Sequence, residues 1–130
     1  MGVQLNLIAA RLAQAGKQLV LVYPVPEMRI DVPRTMATAQ RYEGARFIPA
    51  LTLDDFMHRQ RHAYAVLDAV GPKMEVMRMY PHRALMNGSQ LMAGSATEVY
   101  YTDDNHLSRA GVRLVGGELN AVFRSAALPP

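Results

Sequence analysis

The sequence predicts an α/β fold with a short parallel sheet. Apolar residues spaced at three and four from Leu5 to Ala15 describe one face of a helix, and an apolar, β-branched run, Gln18–Tyr23, follows it directly. A second helix-then-strand succession covers Leu53–Tyr80. Continuous apolar strands alternating with helices are the signature of parallel sheets covered on both faces. Half of the 130 residues are hydrophobic and 19% are charged, a globular composition of single-domain size.

In the first helix Leu5, Ile8, Ala9 and Leu12 share a face, and Gly16 offers a stop. The strand Gln18–Tyr23 runs into Pro24, and Tyr23-Pro24-Val25-Pro26-Glu27-Met28 must leave the sheet as an extended loop, because two prolines fix φ and remove donors. Loops at the carboxyl ends of parallel strands are where α/β proteins build sites. A fixed site-rim loop, a plain structural turn and a proline-rich ligand of a recognition domain are all compatible with this segment.

Pro33 reads as a breaker, after which Arg34–Tyr42 is weakly helical and Gly44 closes the segment. Thr52 is placed to cap an amphipathic helix whose inner face is Leu53, Phe56, Met57, Gln60, Tyr64, Leu67 and Val70, with Asp54 and Asp55 suiting its positive end. Gly71-Pro72 ends it. A strand is expected over Lys73–Tyr80 and irregular structure over 81–97, with turn signals at Asn87-Gly88-Ser89 and Gly94-Ser95. Val99-Tyr100-Tyr101 reads as a short strand or approach segment. Ser108 is expected to cap a last helix marked by Leu107, Gly111, Leu114, Val115, Leu119, Val122 and Phe123. Gly116-Gly117 inside that helix costs about 1–2 kcal/mol relative to alanines, so close packing against a neighbour is expected there.

A net charge of +3, dispersed over fourteen basic and eleven acidic residues, argues against a nucleic-acid partner. There is no cysteine, which removes disulfides, thiolate nucleophiles and cysteine zinc sites. No basic stretch followed by an apolar h-region opens the sequence, and no run approaches the roughly 20 apolar residues of a membrane span, so a soluble chain without a targeting segment is expected.

The stretch that carries chemistry is Tyr100-Tyr101-Thr102-Asp103-Asp104-Asn105-His106-Leu107-Ser108-Arg109-Ala110-Gly111. In a turn feeding a helix, Asp103 can fold back onto Nδ1 of His106, fixing the tautomer and leaving Nε2 to take a proton from a hydroxyl. Asp104 competes for the same role. Taken alone, Asp-x-x-His also describes an ordinary solvated acidic loop.

Asp103-Asp104-Asn105-His106-Leu107-Ser108 with Gly111 resembles the last conserved block of SGNH hydrolases. Val20-Leu21-Val22-Tyr23-Pro24-Val25-Pro26-Glu27-Met28, followed by Asp31-Val32-Pro33, is similar to the mid-domain strand and loop of the SGNH domain fused to acyltransferase-3 membrane proteins, which O-acetylate bacterial surface polysaccharides. The resemblance runs from about Leu5 to Phe123. It implies part of a flavodoxin-like three-layer sandwich, with His106 as catalytic base and Asp103 as its orienting acid. It also implies an acyl donor and a carbohydrate acceptor as partners, no cofactor, and a place on the extracytoplasmic face of the bacterial inner membrane.

Departures are as informative. An SGNH domain begins with a Gly-Asp-Ser nucleophile block, followed by a glycine and an asparagine that supply the oxyanion hole. None of these occurs here, and the four serines, Ser89, Ser95, Ser108 and Ser125, stand in neither Gly-Asp-Ser nor Gly-x-Ser-x-Gly. The family often has two cysteines in the loop before the final block; Arg83–Gly94 has none. Residues 1–130 are therefore expected to be the C-terminal portion of one SGNH domain, with an uncovered edge at the Leu19–Tyr23 strand that favours self-association. Two functions follow: a catalytic part whose serine comes from the missing N-terminal half or another polypeptide, such as one bearing the membrane acyltransferase domain, or an inactive remnant.

Other constellations read as structure. His58 and His62 have the i,i+4 spacing of a zinc grip, but Arg59 stands where a zincin needs glutamate, so an exposed helical face is expected. His82, next to Pro81, is expected at the surface. Met74, Met77, Met79, Met86 and Met92 lack the paired spacing of a copper site and are expected to fill core and loop gaps.

Overall fold

The computed structural model describes residues 2–43, 47–71 and 76–127. Helix α1, Gly2–Gln14, leads into strand β1, Leu19–Val22, and α2, Val32–Glu43, follows. Strand β2, Ala50–Thr52, runs straight into α3, Leu53–Asp68, which returns the chain to β3, Val76–Met79. A 3-10 turn, Pro81–Leu85, precedes the hairpin of β4, Met86–Asn87, and β5, Gln90–Met92; α4, Arg109–Ala127, ends the described chain.

β1 and β3 pair in parallel, Leu19 opposite Val76 through Val22 opposite Met79, which is the predicted short parallel sheet. One face carries Leu21, Tyr23 and Val76 into a core shared with Ala9 of α1 and with Phe56, Tyr64 and Val70. Met79 points to the other face, where α4 packs against β3. The Tyr23 N–H donates to Met79 O at 2.9 Å, so the backbone groups of Leu19, Leu21, Met77 and Met79 face one another across the ladder. Those of Val20, Val22, Val76 and Arg78 consequently point outward. On the β3 side one outward carbonyl is met by a side chain: the Arg78 guanidinium donates to Val76 O at 3.0 Å and also to Val70 O at 2.7 Å.

The helix ends follow local chemistry. Gly16, at φ +65°, closes α1 with its N–H on Ala13 O and the Lys17 N–H on Leu12 O, a Schellman arrangement. Thr52 caps α3, its Oγ1 accepting the Asp55 N–H at 3.1 Å. Asp31 caps α2 through the Arg34 N–H at 2.9 Å. The expectation that Pro33 breaks the chain is corrected: it lies in the first turn of α2, where its missing N–H costs nothing. Gly44, Pro72, Lys73 and Met74 fall outside the described residues.

Three further expectations change. Segment 81–97 is not irregular; β5 pairs antiparallel with both β2 and β4, and Gly88, at φ +61°, occupies the first central position of a two-residue hairpin turn. Val99–Tyr101 forms only isolated bridges, Gly94 to Val99 and Tyr101 to Leu107. Gly116 and Gly117 meet nothing within 4 Å of an added Cβ, so no close neighbour there explains them.

His82 is buried, at 8% exposure, not on the surface. The 3-10 turn rolls its ring onto Phe56, Tyr64 and Tyr80, and the Tyr64 hydroxyl lies 3.0 Å from Nδ1. Burial, and the nearby Arg83 cation, push the imidazole below its usual value. Met79 is buried and Met77 and Met92 are half-buried, whereas Met86 is exposed on the hairpin and does not fill a core gap.

Candidate functional site

Asp103 grips His106 at two places. Its Oδ2 lies 2.7 Å from Nδ1 of the ring, while Oδ1 accepts the His106 backbone N–H at 2.7 Å and the Asn105 N–H at 2.9 Å. Two amide donors and the ring hold the carboxyl down to about 2, with the backbone bond from His106 the largest cause. Asp104 does not share this role, since only its carbonyl is engaged, by the Met28 N–H at 2.7 Å.

The turn is closed at its base. The Thr102 N–H and hydroxyl both donate to His106 O, at 2.8 and 3.2 Å, and the Ser108 N–H donates to Tyr100 O at 2.8 Å. Ser108 then caps α4, its Oγ accepting from Ala110 and Gly111 and donating to Val99 O at 2.6 Å. Gly111 is there for steric reasons: a Cβ would strike Tyr100 O, so only glycine lets the first turn of α4 approach the turn's stem.

This turn is stitched to the loop after β1. Tyr101 is buried and donates through its hydroxyl to Pro26 O at 2.8 Å; the Val32 N–H donates to Asp103 O at 3.3 Å; Arg59 of α3 donates to Glu27 O at 3.1 Å. Segment 23–28 is therefore anchored against the Asp-His turn. Tyr101, whose buried hydroxyl makes one of these bonds, was not singled out from the sequence.

The residues 4–121 match the family described as the SGNH domain (fused to AT3 domains). The chain belongs to the SGNH domain family. No curated protein and no solved structure matches it. The mixed helix and strand architecture with its short parallel sheet accords with a partial SGNH fold.

In this SGNH chain the imidazole is 76% exposed and the Asp103 side chain 43%, so the pair lies at the surface. A hollow of about 440 Å³ is lined by Asp68, Val76, Arg78 and Tyr80, and one of about 410 Å³ by Arg34, Thr35, Thr38, Ala39 and Phe47; neither includes Asp103 or His106. Of the other serines, Ser95 Oγ accepts from Thr97 and Glu98, Ser125 donates to Val122 O, and Ser89 stands in the hairpin turn. His58 sits beside Arg61 on the exposed face of α3, and among the described residues no cluster suited to a metal forms. No helix among the described residues is long and apolar enough to cross a membrane.

Proposed function

We propose that this chain is the histidine-bearing part of an SGNH O-acyltransferase or esterase that transfers acetyl groups to bacterial surface polysaccharide at the extracytoplasmic face of the inner membrane. The observation that carries the reading is the asymmetry of His106: Nδ1 is fixed on Asp103 at 2.7 Å while the ring is 76% exposed, leaving Nε2 free to meet a hydroxyl. A surface contact of this kind contributes little to stability, so its two-point geometry is better explained by orientation than by folding.

In the proposed reaction, Nε2 removes the proton from a serine Oγ that this chain does not supply, and Oγ adds to the carbonyl carbon of the acyl donor. Collapse expels the donor's leaving group, which takes the proton from Nε2. An acceptor sugar hydroxyl, or water, then gives its proton to Nε2 as its oxygen adds to the acyl carbonyl, and collapse breaks the bond to Oγ, which takes the proton back from Nε2. Asp103 stays ionised throughout and stabilises the imidazolium.

The test is hydrolysis of an aryl acetate. The isolated chain is expected at background, and rates are expected to rise only with a polypeptide carrying the Gly-Asp-Ser block of an SGNH domain, the gain vanishing with His106→Ala. Turnover by the isolated chain that is lost in His106→Ala would locate a nucleophile within these residues and overturn the division of labour. The exposure of the imidazole also fits a second reading, an inactive remnant; that reading gains if the mixture shows no turnover.

A further inference from the structure

We propose that two hollows beside α2, sharing Phe47, hold successive sugar rings of the acceptor, so that the acceptor is recognised as a chain and not as a single sugar. This rests on the function proposed above.

The placement comes from α2. Its Val32 N–H donates to Asp103 O at 3.3 Å, so the helix starts on the turn that carries His106. Arg34 follows in the first turn, its N–H on Asp31 Oδ1, roughly 3 Å further along the axis. Arg34, Thr35, Thr38, Ala39 and Phe47 line the hollow of about 410 Å³. A smaller hollow, of about 110 Å³, is lined by Met36, Gln40, Phe47, Ile48, Ser95 and Ala96.

Phe47 is common to both and is 50% exposed. An exposed phenylalanine alone is ordinary. One that lines two hollows edged with hydrogen-bonding side chains is placed to carry a ligand.

Chemistry selects the occupant. The first hollow offers a guanidinium and two hydroxyls, the second an amide and a hydroxyl. Among the described residues the side chains of Arg34, Thr35, Thr38 and Gln40 make no hydrogen bond within the protein. A nucleotide calls for several cations, and the two linings together hold one. An acyl chain would give these polar groups nothing to bond. A sugar ring matches both: its hydroxyls exchange hydrogen bonds with such side chains, and its C–H face lies on an aromatic ring. A chain seated on Phe47 can continue along α2 to the helix's start, where Asp103 and His106 stand.

The experiment titrates the full chain by nuclear magnetic resonance with bacterial O-antigen and capsule oligosaccharides of one, two and four sugars. Adenosine monophosphate and octanoate represent the competing chemistries. The oligosaccharides are expected to shift Thr35, Thr38 and Phe47, with affinity rising at least tenfold from one sugar to two. Phe47→Ala is expected to weaken binding roughly tenfold, the upper range for an aromatic contact, and Phe47→Tyr to retain it. Thr38→Val is expected to weaken it without loss of the ring. Phe123→Ala, at an equally exposed phenylalanine on α4, is expected to have no effect, and circular dichroism to be unchanged throughout. No shift with any oligosaccharide, binding indifferent to Phe47→Ala, equal affinity for one sugar and four, or a preference for adenosine monophosphate or octanoate would overturn the inference. Sugar binding at Phe47 without aryl acetate turnover in the mixture with the Gly-Asp-Ser polypeptide would instead sink the proposed function and leave the carbohydrate site standing.

Discussion

Asp103 holds His106 by both carboxylate oxygens, one on the backbone N–H and one on the ring Nδ1, each at 2.7 Å. The same side chain thus shapes the turn and aims the imidazole. Nuclear magnetic resonance titration of the Asp103 carboxyl is expected to give a midpoint of about 2. Because that value lies below the unfolded one, 3.8, the stabilisation it brings is present above the unfolded value and is lost as pH falls through about 2. Titration near 3.8 would mean that the turn is open in solution.

Asp103→Asn and Asp104→Asn separate the two acids. In a completed triad, loss of the orienting carboxylate lowers kcat by roughly 10⁴. That loss is expected for Asp103→Asn, and near-wild-type turnover for Asp104→Asn, in the aryl acetate assay with the Gly-Asp-Ser polypeptide present. Equal losses would remove Asp103's special role.

His82 is expected to make the fold acid-sensitive. Its folded value lies below the ordinary 6.5, so the unfolded chain binds more protons between the two values, and stability falls as pH drops below about 6.5 toward the folded value. The groups around it are Tyr64, Tyr80, Phe56 and the Arg83 cation, none of which is an acid that could pair with an imidazolium. Thermal unfolding followed from pH 7 to 5 is expected to show this decline, reduced in His82→Gln. Tyr64→Phe, which strips the partner of Nδ1, is expected to cost about 1–3 kcal/mol at pH 7.

Glycines of α4 should respond in opposite ways. Gly111→Ala drives a methyl into Tyr100 O and is expected to cost about 1–3 kcal/mol or more. Gly116→Ala enters open space in mid-helix and is expected to gain up to about 1 kcal/mol. Denaturant midpoints of the two variants check both signs.

Ser108→Ala removes an N-cap and the hydrogen bond to Val99 O, and is expected to cost about 1–2 kcal/mol in the same measurement. An unchanged midpoint would show that the start of α4 frays without consequence.

What could be read from the sequence was what repeats or caps locally. The face of α3 announced itself through Phe56, Tyr64 and the Thr52 cap, and β1 through an unbroken apolar run. The Asp103–His106 contact was legible because its partners are three residues apart. β2, β4 and β5 were not, since elements of two or three residues are too short to show alternation. His82 was misplaced because its burial depends on Phe56 and Tyr64, far away in sequence. Tyr101 was passed over for the same reason: its role exists only through Pro26, 75 positions earlier.

The guanidinium of Arg78 seated on Val76 O has a consequence for assembly. That carbonyl is an outward acceptor of β3, and a strand aligning along this margin would have to displace a guanidinium to use it.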